Sequence, residues 1–118
     1  MTLMEDRITL TARIIQASED NVKIKFRLRS TPVGNYILFH PYSVITDRQT
    51  GNEKVYGCIE SHYYTDTINN QLCCIFIDKL AEVIVTKDSF YKPREWRSGI
   101  DVNRYTPYQP TLLFFTKN

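Results

Sequence analysis

From residue 22 to residue 29 the chain alternates without a break. Val22, Ile24, Phe26 and Leu28 are apolar, while Lys23, Lys25, Arg27 and Arg29 are cationic. A period of two sends the apolar side chains to one face of an extended strand and the cations to the other. A strand divided in this way needs a core beneath it and further strands beside it. That requirement sets the expected fold class: mainly β, with the cations of this strand projecting from its outer face.

The flanking sequence supplies the other strands. Tyr36–Phe39 is short and apolar, His40-Pro41 interrupts it because proline has no N–H to donate, and Tyr42–Ile45 resumes it. Asp47–Asn52 is turn chemistry, tightest at Thr50-Gly51. Glu53–Tyr64 reads as a long strand with a possible bend at Gly57, and Thr65–Asn70 as a polar connection. Leu72–Asp78 is almost continuously apolar, as a strand buried on both faces would be. Leu80–Val85 is a further strand, closed by Thr86–Ser89. Residues 8–18 fit two patterns. Ile8, Leu10, Ala12 and Ile14 alternate as in a strand, yet Ile8, Ala12 and Ile15 also lie on one face of a helix. Beyond Phe90 the chain becomes polar and aromatic with little period until Thr111–Thr116, which reads as a last strand or a docking segment.

Length and composition bound the class. The chain has 118 residues, 42% hydrophobic and 24% charged, which suits one globular domain with its own core. No apolar run approaches the roughly 20 residues that span a bilayer, and the first residues lack the pattern of a signal peptide. Cys58, Cys73 and Cys74 are three in number and two are adjacent, so they make no disulfide framework and point to a reducing, cytoplasmic setting. His40, His62 and Cys58 match no common metal-ligand spacing, and four scattered glycines make no phosphate-cradling loop. No acid–base pair or activated nucleophile converges in the sequence, so the expectation is a binding protein without cofactor or metal rather than an enzyme.

Three blocks resemble the WYL domain, a small SH3/Sm-like β-barrel found in bacterial regulators. Val22-Lys-Ile-Lys-Phe-Arg27 resembles its first strand, Phe39-His-Pro-Tyr-Ser-Val44 its acidic-Pro block, and Ile77-Asp-Lys-Leu through Phe90 its Leu-Asp-Arg-Ile stretch, following strand and closing Phe. The family's Trp-Tyr-Leu signature falls on Val55-Tyr56-Gly57. Its arginine-rich stretch falls on Cys73–Phe76, and Lys79 stands where an arginine is usual. The resemblance implies a barrel over residues 1–90 with one short N-terminal helix over residues 9–19. Residues 91–118 are then an irregular extension, packed on the barrel or forming an interface. It also implies a regulatory module that senses nucleotide-like or nucleic-acid ligands.

Cations two residues apart on a strand lie about 7 Å apart, close to the spacing of successive phosphates on one nucleic-acid strand. Lys23, Lys25, Arg27, Arg29 and Lys79 are therefore the candidate anion contacts, with Tyr42 and Tyr56 as stacking platforms. The same residues have plainer readings: lysines keep an edge strand from pairing, and tyrosines fill barrel cores with the hydroxyl at the rim. Trp96, flanked by Arg94 and Arg97, has the composition of an interface hot spot, or else caps one end of the barrel. Two functions follow: a module that binds a nucleotide or single-stranded nucleic acid and acts through self-association or a partner chain, or a protein-interaction module with no such ligand.

Overall fold

The structure is a computed structural model, and it describes residues 3–30, 36–60, 71–92 and 102–108. It is mainly β. Helix α1 (Leu3–Asp20) precedes strands β1 (Val22–Leu28), β2 (Ile37–Thr46), β3 (Glu53–Glu60), β4 (Gln71–Phe76), β5 (Leu80–Ser89) and the two-residue β6 (Thr106–Pro107). One sheet holds all six in the order β5-β1-β2-β3-β4-β6. No described helix is long and apolar enough to cross a membrane.

The helix settles residues 8–18. Thr11, Ile14, Ala17 and Ser18 are buried and Leu10 is half-buried, a stripe at helical spacing laid on β1 and β2. Asn21 ends the helix in the left-handed region at φ 56°, a conformation that asparagine tolerates. Two bonds fasten this end. Ser18 Oγ donates to the Tyr42 carbonyl at 2.6 Å, and Lys92 Nζ donates to the Ser18 carbonyl at 2.8 Å, a cation placed against the negative end of the helix.

Strand β1 carries the predicted faces. Ile24, Phe26 and Leu28 are buried in the main core with Phe39, Val55, Ile75, Ile77 and Leu80. It is not an edge strand, because β5 and β2 flank it on both sides. Its cations therefore do not serve to block edge pairing. Strand β2 runs through His40-Pro41 without a break. Its ladder to β1 covers Ile37–Phe39, so Pro41 lies just beyond, where no bond to β1 is asked of it. The register to β3 then shifts between Pro41 and Ser43, and the Pro41–Gly57 pair marks the bend.

Strands β4 and β5 lie at positions five and one of the sheet, yet only the 3-10 turn Ile77–Lys79 joins them. In a flat sheet those positions are about 19 Å apart, while four residue steps reach about 14 Å at most. The sheet must curl. It does not close into the expected barrel among the described residues. The outer edge of β4 is taken by β6, which pairs with it in parallel at Cys73–Thr106 and Cys74–Pro107, and Tyr108 N donates to the Cys74 carbonyl at 3.1 Å. Two further expectations need correction. Leu72–Asp78 is a strand only to Phe76, and β5 extends through Thr86–Ser89 where a stop was expected, because Ser89 pairs with Val22 and Thr86 Oγ1 donates to the Lys23 carbonyl at 2.7 Å. Thr65–Asn70 and Thr111–Thr116 lie outside the described residues.

Candidate functional site

The β1–β2 register Ile24–Phe39, Lys25–Leu38, Phe26–Ile37 decides what each cation meets. Carried one residue further in each direction, it sets Lys23 beside His40 and Arg27 beside Tyr36. The four cations thus divide into two environments.

Lys23 belongs to a closed group. Its Nζ is 2.9 Å from Glu60 Oε1, and His40 Nε2 is 2.8 Å from the same oxygen. The His40 ring stacks on Phe90 with centroids 5.1 Å apart. Burial alone would raise the Glu60 carboxyl, but the hydrogen bonds from His40 and Lys23, with their charges, outweigh it and hold the group below its ordinary value. A depressed carboxyl contributes stability that is present above its unfolded value and lost as pH falls through its folded value. The urea midpoint is therefore expected to fall between pH 5 and pH 3, that is around the ordinary glutamate value of about 4.3. Glu60→Gln should flatten that fall, and an equally steep fall in the variant would refute the assignment.

Lys25, Arg27, Arg29 and Lys79 gather at the other end of β1. The Arg27 guanidinium lies 4.2 Å from the centroid of Tyr36, and Lys25 Nζ lies 5.3 Å from the same ring. Arg29 N donates to the Lys79 carbonyl at 2.9 Å, which puts the end of β1 against the 3-10 turn, and Arg29 Nε donates to the Leu80 carbonyl at 3.3 Å. Lys79 Nζ lies 5.8 Å from the Phe76 ring centroid. Glu82 Oε2 reaches Arg27 Nη1 at 2.6 Å, and this hydrogen bond is the main reason the guanidinium pKa is raised. Among the described residues Lys25, Arg29 and Lys79 make no ion pair.

The tyrosine expectation fails. Tyr42 is 5% exposed and Tyr56 8%, too little for a base to stack on either. Tyr42, Cys58 and Phe90 form a second small core, and Tyr105 closes over it with ring centroids 6.4 Å from Tyr42 and 5.6 Å from Tyr56. The plainer reading, rings filling a core, holds for both. Trp96, Arg94 and Arg97 lie outside the described residues. Sequence reasoning missed Tyr36, Glu82 and Glu60. Tyr36 was within reach: it shares a strand face with Leu38 and His40, and pairing the two runs as a hairpin brings it next to Arg27.

No family model matches this chain, and no curated protein or solved structure matches it either. The three blocks that resemble a WYL domain fall on β1, on β2 across its bend, and on the 3-10 turn with β5.

The three cysteines offer no activated thiol. Cys58, Cys73 and Cys74 are free and buried. Burial pushes the Cys58 thiol up to about 11, drives Cys73 up further, and raises Cys74 as well, so all three stay protonated and poorly nucleophilic near neutral pH. Among the described residues no group of three His, Cys, Asp or Glu side chains is placed to hold a metal ion.

Proposed function

We propose that the protein is an intracellular binding module whose ligand is an anion bearing phosphate, a nucleotide or a single-stranded nucleic acid, and that it contacts this ligand at the Tyr36 end of β1. One observation carries the reading: Arg27 and Lys25 both lie against the Tyr36 ring, and Arg29 and Lys79 are joined backbone to backbone where the same strand ends. Lys25, Arg27, Arg29 and Lys79 outnumber the carboxylates Asp78 and Glu82 that lie in the same segments, while the chain as a whole has a formal charge of only +2. Arginine held flat on an aromatic ring is pre-oriented for bonding to phosphate oxygens. Lys23, Tyr42 and Tyr56 drop out of the proposed site, and Tyr36 replaces the two buried rings. The WYL resemblance points to the same class of ligand. Free, buried thiols suit the reducing interior that the reading assumes.

The test is titration of a fluorescent oligothymidylate at low salt, followed by anisotropy. If all four cations contact phosphates, the log–log salt slope for a single strand is about −3. Lys25→Ala, Arg29→Ala or Lys79→Ala should each make it shallower by about 0.7. Absence of binding at low salt, or binding indifferent to all three substitutions, refutes the reading.

A second reading has its own observation. Strand β5 ends the sheet among the described residues, and Ile84 and Val85 are 40% and 38% exposed on it. A protein partner or a second copy could use this strand, in which case Ile84→Lys would lower the mass measured in solution.

A further inference from the structure

The basic surface carries its own competitor. We infer that Glu82 gates it: the Glu82 carboxylate occupies the Arg27 guanidinium where a ligand's phosphate oxygen would bind, and the ligand must displace it. This inference rests on the anion-binding reading above.

Three features of Glu82 suit a displaceable group. First, it lies at a bulge. Lys25 pairs with Ile84 and Arg27 with Ala81, so two residues of β5, Glu82 and Val83, stand opposite the single Phe26 of β1. The Glu82 side chain can swing away without breaking a sheet bond. Second, Glu82 stands at φ 50°, in the left-handed region where glycine or asparagine is usual. An acidic side chain thus occupies a backbone position that does not favour it, and the bulge presents it to Arg27. Third, the Glu82 side chain is 51% exposed while that of Arg27 is 26% exposed, so the carboxylate is the mobile partner and the guanidinium the fixed one. Tyr36 holds the guanidinium from its ring face, so Arg27 keeps its place when the carboxylate leaves.

The contrast with Glu60 sharpens the point. Glu60 is held by both Lys23 and His40 and its side chain is 27% exposed, which makes it a fixed tie between strands. Glu82 has one cationic partner among the described residues and faces water.

The experiment uses the full chain and the same oligothymidylate. Wild type, Glu82→Gln and Asp88→Asn are titrated side by side, with circular dichroism to confirm folding. Asp88 lies on the same strand but six residues away, about 20 Å, which is twice the Debye length of about 10 Å when this comparison is run at about 0.1 M salt. It therefore controls for a general change in net charge. If Glu82 competes for Arg27, Glu82→Gln should tighten binding about tenfold, while Asp88→Asn changes it less than about twofold. Glu82→Gly, which suits the backbone angle, should tighten binding as Glu82→Gln does and keeps the test open if the latter misfolds. If wild type binds and the Glu82 variants bind equally well, or if Asp88→Asn gains as much, the gate is wrong and the site stands. If neither wild type nor a Glu82 variant binds, both the gate and the site reading fall.

Discussion

Gly57→Ala is expected to lower the unfolding free energy by about 3 kcal/mol, at the upper end of what one added methyl group costs in a packed interior. A β-carbon at this position would fall on the His40 carbonyl oxygen, far inside contact distance, and 2.8 Å from Cε2 and Cζ of Phe39. Neither neighbour can yield cheaply. The His40 carbonyl is backbone in the β2–β3 ladder, opposite Cys58, and the Phe39 ring is fully buried against Phe26. Gly57 pairs with Pro41 at the bend of β2 and with Cys73 on β4, so a shift there spreads to three strands at once. For a domain of this size the melting temperature should drop on the order of 10 °C. Gly51→Ala is the control. Gly51 sits at φ 74° with nothing within 4 Å of a β-carbon, so its replacement meets the backbone penalty alone, roughly 1 kcal/mol. A Gly57→Ala protein as stable as Gly51→Ala would mean that the close crossing is absent.

The same crossing shows how far residue patterns carry. Pro41 and Gly57 each signalled a bend, but only the ladder shows them to be one bend, with Tyr42 as the extra residue. Strand β1 was legible because alternation is a local property, and its buried face is that of Ile24, Phe26 and Leu28. The end of β5 was not. Thr86-Lys-Asp-Ser has turn composition, and only pairing with Val22 and the bond to the Lys23 carbonyl hold it extended. Residues 8–18 satisfied two periods at once, and what selects the helix is the surface of β1 and β2 that its apolar stripe covers. The four cations could be read as an outward row, but their partners could not, since Glu82 lies 55 residues from Arg27 in sequence. Nor could the burial of Tyr42 and Tyr56, which depends on Tyr105 arriving from a stretch with no readable period.

The other large effect lies at the centre of the main core. Phe26 and Phe39 are both fully buried, lie diagonally across the β1–β2 ladder and meet edge to face, with centroids 5.9 Å apart and planes at 65°. Phe26→Ala removes a ring from a site enclosed by the sheet and by Ile14 and Ala17 of α1. The transfer term and the residual cavity together are expected to cost about 4 kcal/mol. Against the roughly 5–15 kcal/mol typical of a domain, that is a quarter or more of the whole stability. Phe39→Ala should cost about as much. The double variant should lose less than the sum by about 1 kcal/mol, since the ring–ring contact is then counted once. Phe26→Leu keeps most of the buried volume and should cost about 1.5 kcal/mol. Urea unfolding of wild type and the four variants measures these differences directly. Strict additivity of Phe26→Ala and Phe39→Ala would show that the rings do not touch, and a loss below about 1 kcal/mol for Phe26→Ala would show that the apolar face of β1 is not the centre of the core. Because that face fixes which way Lys25 and Arg27 project, the second result would remove the proposed anion site as well.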